Sequence, residues 1–94
     1  MQPLEQKLQK YFELTDKALK KIKINNSLDF KSKKSAEDFF DLAKRYYSDA
    51  KYFENKGDLV NAFGAVVYAH AFLDIGARMG LFDVGKDNEL FMVD

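Results

Sequence analysis

The chain has no cysteine, no tryptophan, one histidine and one proline in its 94 residues. Without cysteine there is no disulfide, no thiolate nucleophile and no cysteine-bound zinc. A lone His70 rules out a multi-histidine metal site within one copy. No stretch approaches the ~18 uninterrupted apolar residues of a membrane span. The opening "MQPLEQKLQKYFEL" lacks the apolar run of a signal peptide. These absences predict a soluble, cytoplasmic chain with no membrane association, no metal and no cofactor.

What is present is apolar and aromatic. Hydrophobic residues make up 47% of the chain, and nine Phe and five Tyr bring aromatics to 15%. That is too much bulky apolar surface for a disordered chain, and the length suits one domain, residues 1–94. Net charge is zero but uneven. Residues 1–34 carry nine Lys against four acids, and residues 35–94 carry six basic and eleven acidic side chains. The basic third would steer a polyanion, attract the acidic part of the same chain, or pair two copies head to tail.

Three amphipathic segments follow one another. From Pro3 to about Ile24, Leu4, Leu8, Tyr11, Thr15, Ala18 and Ile22 recur every three or four residues, widened by Phe12 and Leu19. The stretch "NNSLDFKSKKS" (25–35) breaks the period and predicts a connection, with Leu28 and Phe30 as anchors on the bundle end. Ser35 and Asp38 resemble a capping box and predict a second helix over about 36–56. Its face is Phe39, Leu42, Ala43, Tyr46, Ala50 and Phe53, flanked by Phe40 and Tyr47. Gly57 suits a left-handed helix stop and Asp58 the next cap, so the following helix must turn back antiparallel.

The third helix, about 59–79, is apolar nearly all round. At ~100° per residue from His70, Ala62, Ala65, Val66, Ala69, Leu73 and Gly76 fill one arc, and Tyr68, Phe72, Ile75 and Met79 a second. Two partner helices cannot cover both. The tail 81–94, with Leu81, Phe82, Val84, Leu90, Phe91, Met92 and Val93, is too apolar to hang free. It is expected to fold back over the open side of the third helix, or to leave that side to a second protomer. The predicted fold is all-α: an antiparallel up-down-up three-helix bundle with an ordered C-terminal tail, its helices matched at about 31 Å.

Across Ala43–Phe82 the residues Tyr46, Tyr47, Asp49, Ala50, Gly57, Asp58, Tyr68, Ala69, His70, Leu73, Asp74 and Gly76 fit a pattern of Tyr-Tyr-x-Asp-Ala, Gly-Asp, Tyr-Ala-His and Leu-Asp-x-Gly. In this the chain resembles the archaeal family called domain of unknown function 357. Ala71 departs from the Gly that pattern has after the His. The resemblance implies a short helical bundle and carries over no activity and no catalytic residue. The hairpin also fits one tetratricopeptide unit, where a stable array needs at least three. It is similar too to the helical domains that accompany nucleotidyltransferases. The Arg that their ribonuclease members place just before the His is missing here, since Arg45 is too far from His70.

Two groups of residues are candidates for a site. His70, Asp74 and Arg78 follow at i, i+4 and i+8, with Tyr68 on the same helix and Asp49 in reach across the hairpin. A His oriented by Asp makes a base and an adjacent Arg holds an anion; the plainer account is a polar ladder edging an apolar helix. Asp49 is expected in a buried or half-buried contact, with Arg45 or across to the third helix. The second group is Lys20, Lys21, Lys23, Lys31, Lys33 and Lys34 around the first connection, where Phe30 would give a single-stranded nucleic acid a stacking surface. The sequence therefore predicts a non-enzymatic interaction module, with a protein partner or a second copy as its target. The alternative is an RNA- or nucleotide-associated domain using the Lys-rich connection.

Overall fold

The computed structural model describes residues 3–85 and Phe91. Three helices, α1 (Leu4–Lys21), α2 (Phe30–Asn55) and α3 (Leu59–Arg78), form an up-down-up bundle. Two short strands, β1 (Lys23–Ile24) and β2 (Phe82–Asp83), pair antiparallel, Lys23 opposite Asp83 and Ile24 opposite Phe82. Cross-helix contacts fix the directions. Tyr11–Phe63 and Thr15–His70 advance together, so α1 and α3 run parallel. Ala50 clusters with Ala62 while Phe39 meets Phe72, so α2 runs against α3.

The first helix ends earlier than its stripe suggests. Ile22 is buried but extended, with φ −63° and ψ 139°. Ile22 buried, Lys23 exposed and Ile24 half-buried is a period of two, which β-branched residues favour. Asn25 then joins the exits of α1 and α3. Its amide donates to the Gly80 carbonyl at 3.0 Å, and its backbone N–H donates to the Leu81 carbonyl at 3.0 Å.

The second helix begins at Phe30, six residues before the predicted start. Asp29 is the cap, accepting the Ser32 N–H at 2.7 Å. These hydrogen bonds to Ser32 hold the Asp29 carboxyl below the usual carboxylate range. Ser35 lies inside the helix, where its hydroxyl donates to the Lys31 carbonyl at 3.4 Å. The connection thus shrinks to residues 22–29, and the three helices measure 18, 26 and 20 residues rather than being matched. Leu28 packs on the core as expected. Phe30 does not: at 79% exposure it is no anchor, because the first turn of α2 projects it away from α1. At the other end, Gly57 adopts φ +77° and Asp58 accepts the Asn61 N–H at 3.1 Å, as the sequence predicts.

Small residues line the α2–α3 seam. Ala36, Ala43 and Ala50, one heptad apart, are fully buried, as are Ala62 and Ala69, with Gly76 buried on the same side of α3. Larger groups concentrate at the two ends. Leu8, Phe12 and Val66 cluster toward the Gly57 turn, while Ile22, Leu73, Leu81, Phe82, Val84 and Phe91 cluster at the opposite end.

The described tail packs on its own chain, but not over the predicted face. Gly80, at φ +77°, turns the backbone so that the Leu81 N–H donates to the Gly76 carbonyl at 2.9 Å. This sends Phe82 toward the exit of α1, where β1 pairs with it. The Phe82 ring rests on Gly76, where an added Cβ would lie 2.2 Å from Cε2. Tyr68, Ile75 and Met79 remain exposed at 61%, 49% and 64%. Leu90, Met92 and Val93, also expected to cover the bundle, lie outside the described residues.

Candidate functional site

α3 touches both other helices, and the cross-section of the bundle is flattened, 23 × 16 Å against a length of 42 Å. The central helix therefore keeps one open side. Around its edges lie the residues of the predicted polar cluster.

His70 sits on the α1 side, half-buried. Its Nδ1 is 3.1 Å from the Thr15 hydroxyl oxygen, and its Nε2 is 3.6 Å from Asp74 Oδ1. The first is a hydrogen bond whose direction depends on the ring tautomer. The second exceeds hydrogen-bond length and becomes an ion pair when the ring is protonated. Thr15 is fully buried, so its hydroxyl presents no attacking atom to a substrate. The contact satisfies a hydroxyl inside an apolar seam and ties α1 to α3. The sequence placed Thr15 on the core stripe of its helix without naming it as a partner for His70. The signal was there, as the one aliphatic hydroxyl on that stripe.

Asp74 continues the strip, half-buried, and Arg78 is exposed in the last helical turn, where a cation suits the helix dipole. Together with Ile75 and Met79 they line a shallow depression of about 180 Å³. Asp49 does not join them. It is exposed on α2, and Arg45, its expected neighbour, pairs with Asp41 at 2.9 Å instead. Tyr68 lies on the open face rather than against His70. Its ring meets Tyr46 at 5.5 Å, Tyr46 stacks on Phe72 at 5.7 Å, and Phe72 meets Phe39 edge-on at 5.6 Å. These four rings form a ladder beside the open face of α3.

The lysines gather at the opposite end of α2 from the Gly57 turn. Lys20 pairs with Asp16 at 2.9 Å, a contact that raises the Lys20 pKa. Lys23 is exposed on β1. Lys31, Lys33 and Lys34 lie in the first turns of α2 rather than in a loop, with Lys34 Nζ 5.5 Å from the centre of the exposed Phe30 ring. Lys21 is exposed at the end of α1.

On the α1–α2 side, Gln9, Phe12, Glu13, Asp16, Tyr47 and Lys51 line a groove. Lys51 Nζ stands 4.2 Å over the Phe12 ring. Burial, reinforced by the Asp16 carboxylate, raises the Tyr47 phenol pKa. Among the described residues, no group of three or more His, Asp or Glu side chains is placed to hold a metal ion.

α3 is long and apolar enough, by length and composition, to cross a membrane. Within this fold, Ala62, Ala65, Val66, Ala69, Leu73, Gly76 and Ala77 of that helix are buried. Burial between α1, α2 and the tail accounts for the composition of that side, and leaves the apolar open side to be explained.

No curated protein and no solved structure matches the chain. A family model described as "Protein of unknown function (DUF357)" matches residues 10–82. The match takes in most of α1 as well as the α2–α3 hairpin, more than the motif residues alone covered, and runs to the Phe82 that closes on Gly76. The chain belongs to the DUF357 family.

Proposed function

We propose that this protein is a non-enzymatic interaction module of the cytoplasm that docks another protein surface on the open side of α3. The observation that carries this reading is the character of that side. Residues 59–73 contain no Asp, Glu, Lys or Arg. Val60, Tyr68, Ile75 and Met79 stand exposed on the same helix, beside the Tyr46–Phe72 ladder. A contiguous apolar face of this kind marks an interaction site more often than a bare surface. In a helix packed on two sides, a third side facing only water would carry charge.

Site-specific photo-crosslinking in cells tests it. A benzophenone side chain at Tyr68 is expected to give a discrete protein adduct that Ile75→Glu abolishes. The same probe at Tyr52, exposed on another helix, is the control. Equal labelling at both positions would refute the docking face.

A second reading rests on Phe30, exposed among Lys31, Lys33 and Lys34. An aromatic face flanked by cations suits single-stranded RNA. It predicts salt-sensitive binding of a single-stranded oligonucleotide, lost when the three lysines become Glu. Absence of binding at low salt would eliminate it.

A further inference from the structure

We infer that the open side of α3 pairs with the same side of a second copy of this chain, the two helices running antiparallel about a two-fold axis beside Tyr68. This rests on the docking reading above and names its partner.

The residues along the open side are self-complementary in one register. On a helix of ~3.6 residues per turn, Val60, Gly64, Tyr68, Ala71 and Ile75 fall on adjoining positions of the side that α1 and α2 leave uncovered. Laid antiparallel about an axis between residues 67 and 68, Val60 of one copy comes level with Ile75 of the second and Gly64 with Ala71, while the two Tyr68 positions lie one residue, ~1.5 Å, apart along the helices. Val60, Tyr68 and Ile75 then each face a large apolar group, and Gly64 and Ala71 face one another. The centre of the contact is open enough for close approach: a Cβ built on Gly64 meets nothing within 4 Å. A two-fold contact demands this kind of self-matching, since each residue must suit its mate in both directions.

Charge does not oppose the pairing: residues 59–73 carry no Asp, Glu, Lys or Arg, so no charge is buried in the middle of the contact. The pairing also sets the two helix dipoles antiparallel, their favourable arrangement side by side.

The area is sufficient. Taking ~150–250 Å² for a large side chain, the exposed parts of Val60, Tyr68, Ile75 and Met79, with shares from Tyr46 and Leu42, come to about 500 Å² per copy. Two copies then bury about 1,000 Å², the lower limit for a specific interface. A bilayer surface would instead favour basic residues along the rim of the face. The rim here presents Asp58 at one end of α3 and Asp74 with Arg78 at the other.

Sedimentation equilibrium combined with cysteine crosslinking tests the register, and the absence of native cysteine makes the crosslinks unambiguous. A concentration-dependent dimer is expected, its dissociation constant raised about tenfold or more by Ile75→Glu. Circular dichroism on that exposed-site variant verifies that the fold is kept. Mixing Val60→Cys with Ile75→Cys is expected to give a disulfide-linked dimer in higher yield than either variant alone. If each variant crosslinked only with itself, a parallel pairing would replace the register and leave the docking reading standing. A chain that stays monomeric in sedimentation overturns self-pairing. If it also gives no Tyr68-specific adduct in cells, the docking reading falls with it. If it stays monomeric but binds anionic phosphatidylserine vesicles through Ile75, the face serves a membrane and both proposals are overturned.

Discussion

Phe82→Ala is expected to lower the unfolding free energy by about 3–5 kcal/mol, the usual cost of deleting a buried aromatic ring. A domain of this length holds roughly 5–14 kcal/mol in all, so the variant should sit near the edge of folding. The reason lies in what the ring touches. Phe82 is buried against Gly76, meets Phe40 edge-on at 6.3 Å, and belongs to the strand that pairs with β1. Losing it opens a void and releases the clasp between the exits of α1 and α3. Gly76→Ala should act through the same contact from the other side. Its Cβ would meet the ring at 2.2 Å, an overlap that outweighs the gain of about 1 kcal/mol in helix propensity. Urea denaturation of a double-mutant cycle checks both. In wild-type background Gly76→Ala should destabilise; in Phe82→Ala background it should be neutral or stabilising, because the obstructing ring is gone. Purely additive effects would mean that the two residues do not form the contact described.

Ala43→Leu is expected to cost about 3 kcal/mol, at the upper end of overpacking in a well-filled core. Ala43 is fully buried midway along a seam in which Ala36, Ala50, Ala62 and Ala69 are fully buried too. With methyl groups on both sides the two backbones approach closely, and three more carbons have nowhere to go without parting the helices. Ser48→Ala, on the same helix and exposed, is the control and should change stability by no more than ~0.5 kcal/mol. Thermal unfolding of the pair separates the outcomes. If Ala43→Leu melted like wild type, the seam would have room that its buried alanines deny.

Most of the helical framework was legible because it is written in period and punctuation. The 3–4 spacing of Leu4, Leu8, Tyr11, Thr15 and Ala18, and the Gly57-Asp58 pair, each have one physical solution. The start of α2 was misplaced because two cap signals compete there. Asp29 with Ser32 and Ser35 with Asp38 both offer a side-chain acceptor, and the choice falls to the packing of Leu28 against the core, which no local rule carries. The strand at Lys23–Ile24 was hidden because Ile22 also continues the helical stripe. At the site, helical spacing was enough to put His70 beside Asp74, but not to find Thr15, 55 residues away on a parallel helix. Asp49 and Phe30 were assigned inward because an apolar neighbourhood in sequence was taken for one in space. Both belong to turns of α2 that face solvent. The apolar excess of the third helix is legible in its pattern, whereas the path of the tail is not. The tail follows the direction set by Gly80, toward the end of the bundle, and leaves the side of α3 bare.

The clasp between Asn25 and the Gly80–Leu81 turn joins backbone 55 positions apart, whereas the α2–α3 hairpin turns within a few residues. Closing a long loop costs more entropy than closing a short one, and that cost falls before the contact rewards it. The hairpin is thus the natural first structure on the way to the native state, and the β1–β2 pair forms after it. That order sets the β1–β2 pair, and the Phe82 contact with Gly76 that accompanies it, onto a hairpin whose Tyr46–Tyr68–Ile75 surface is already assembled.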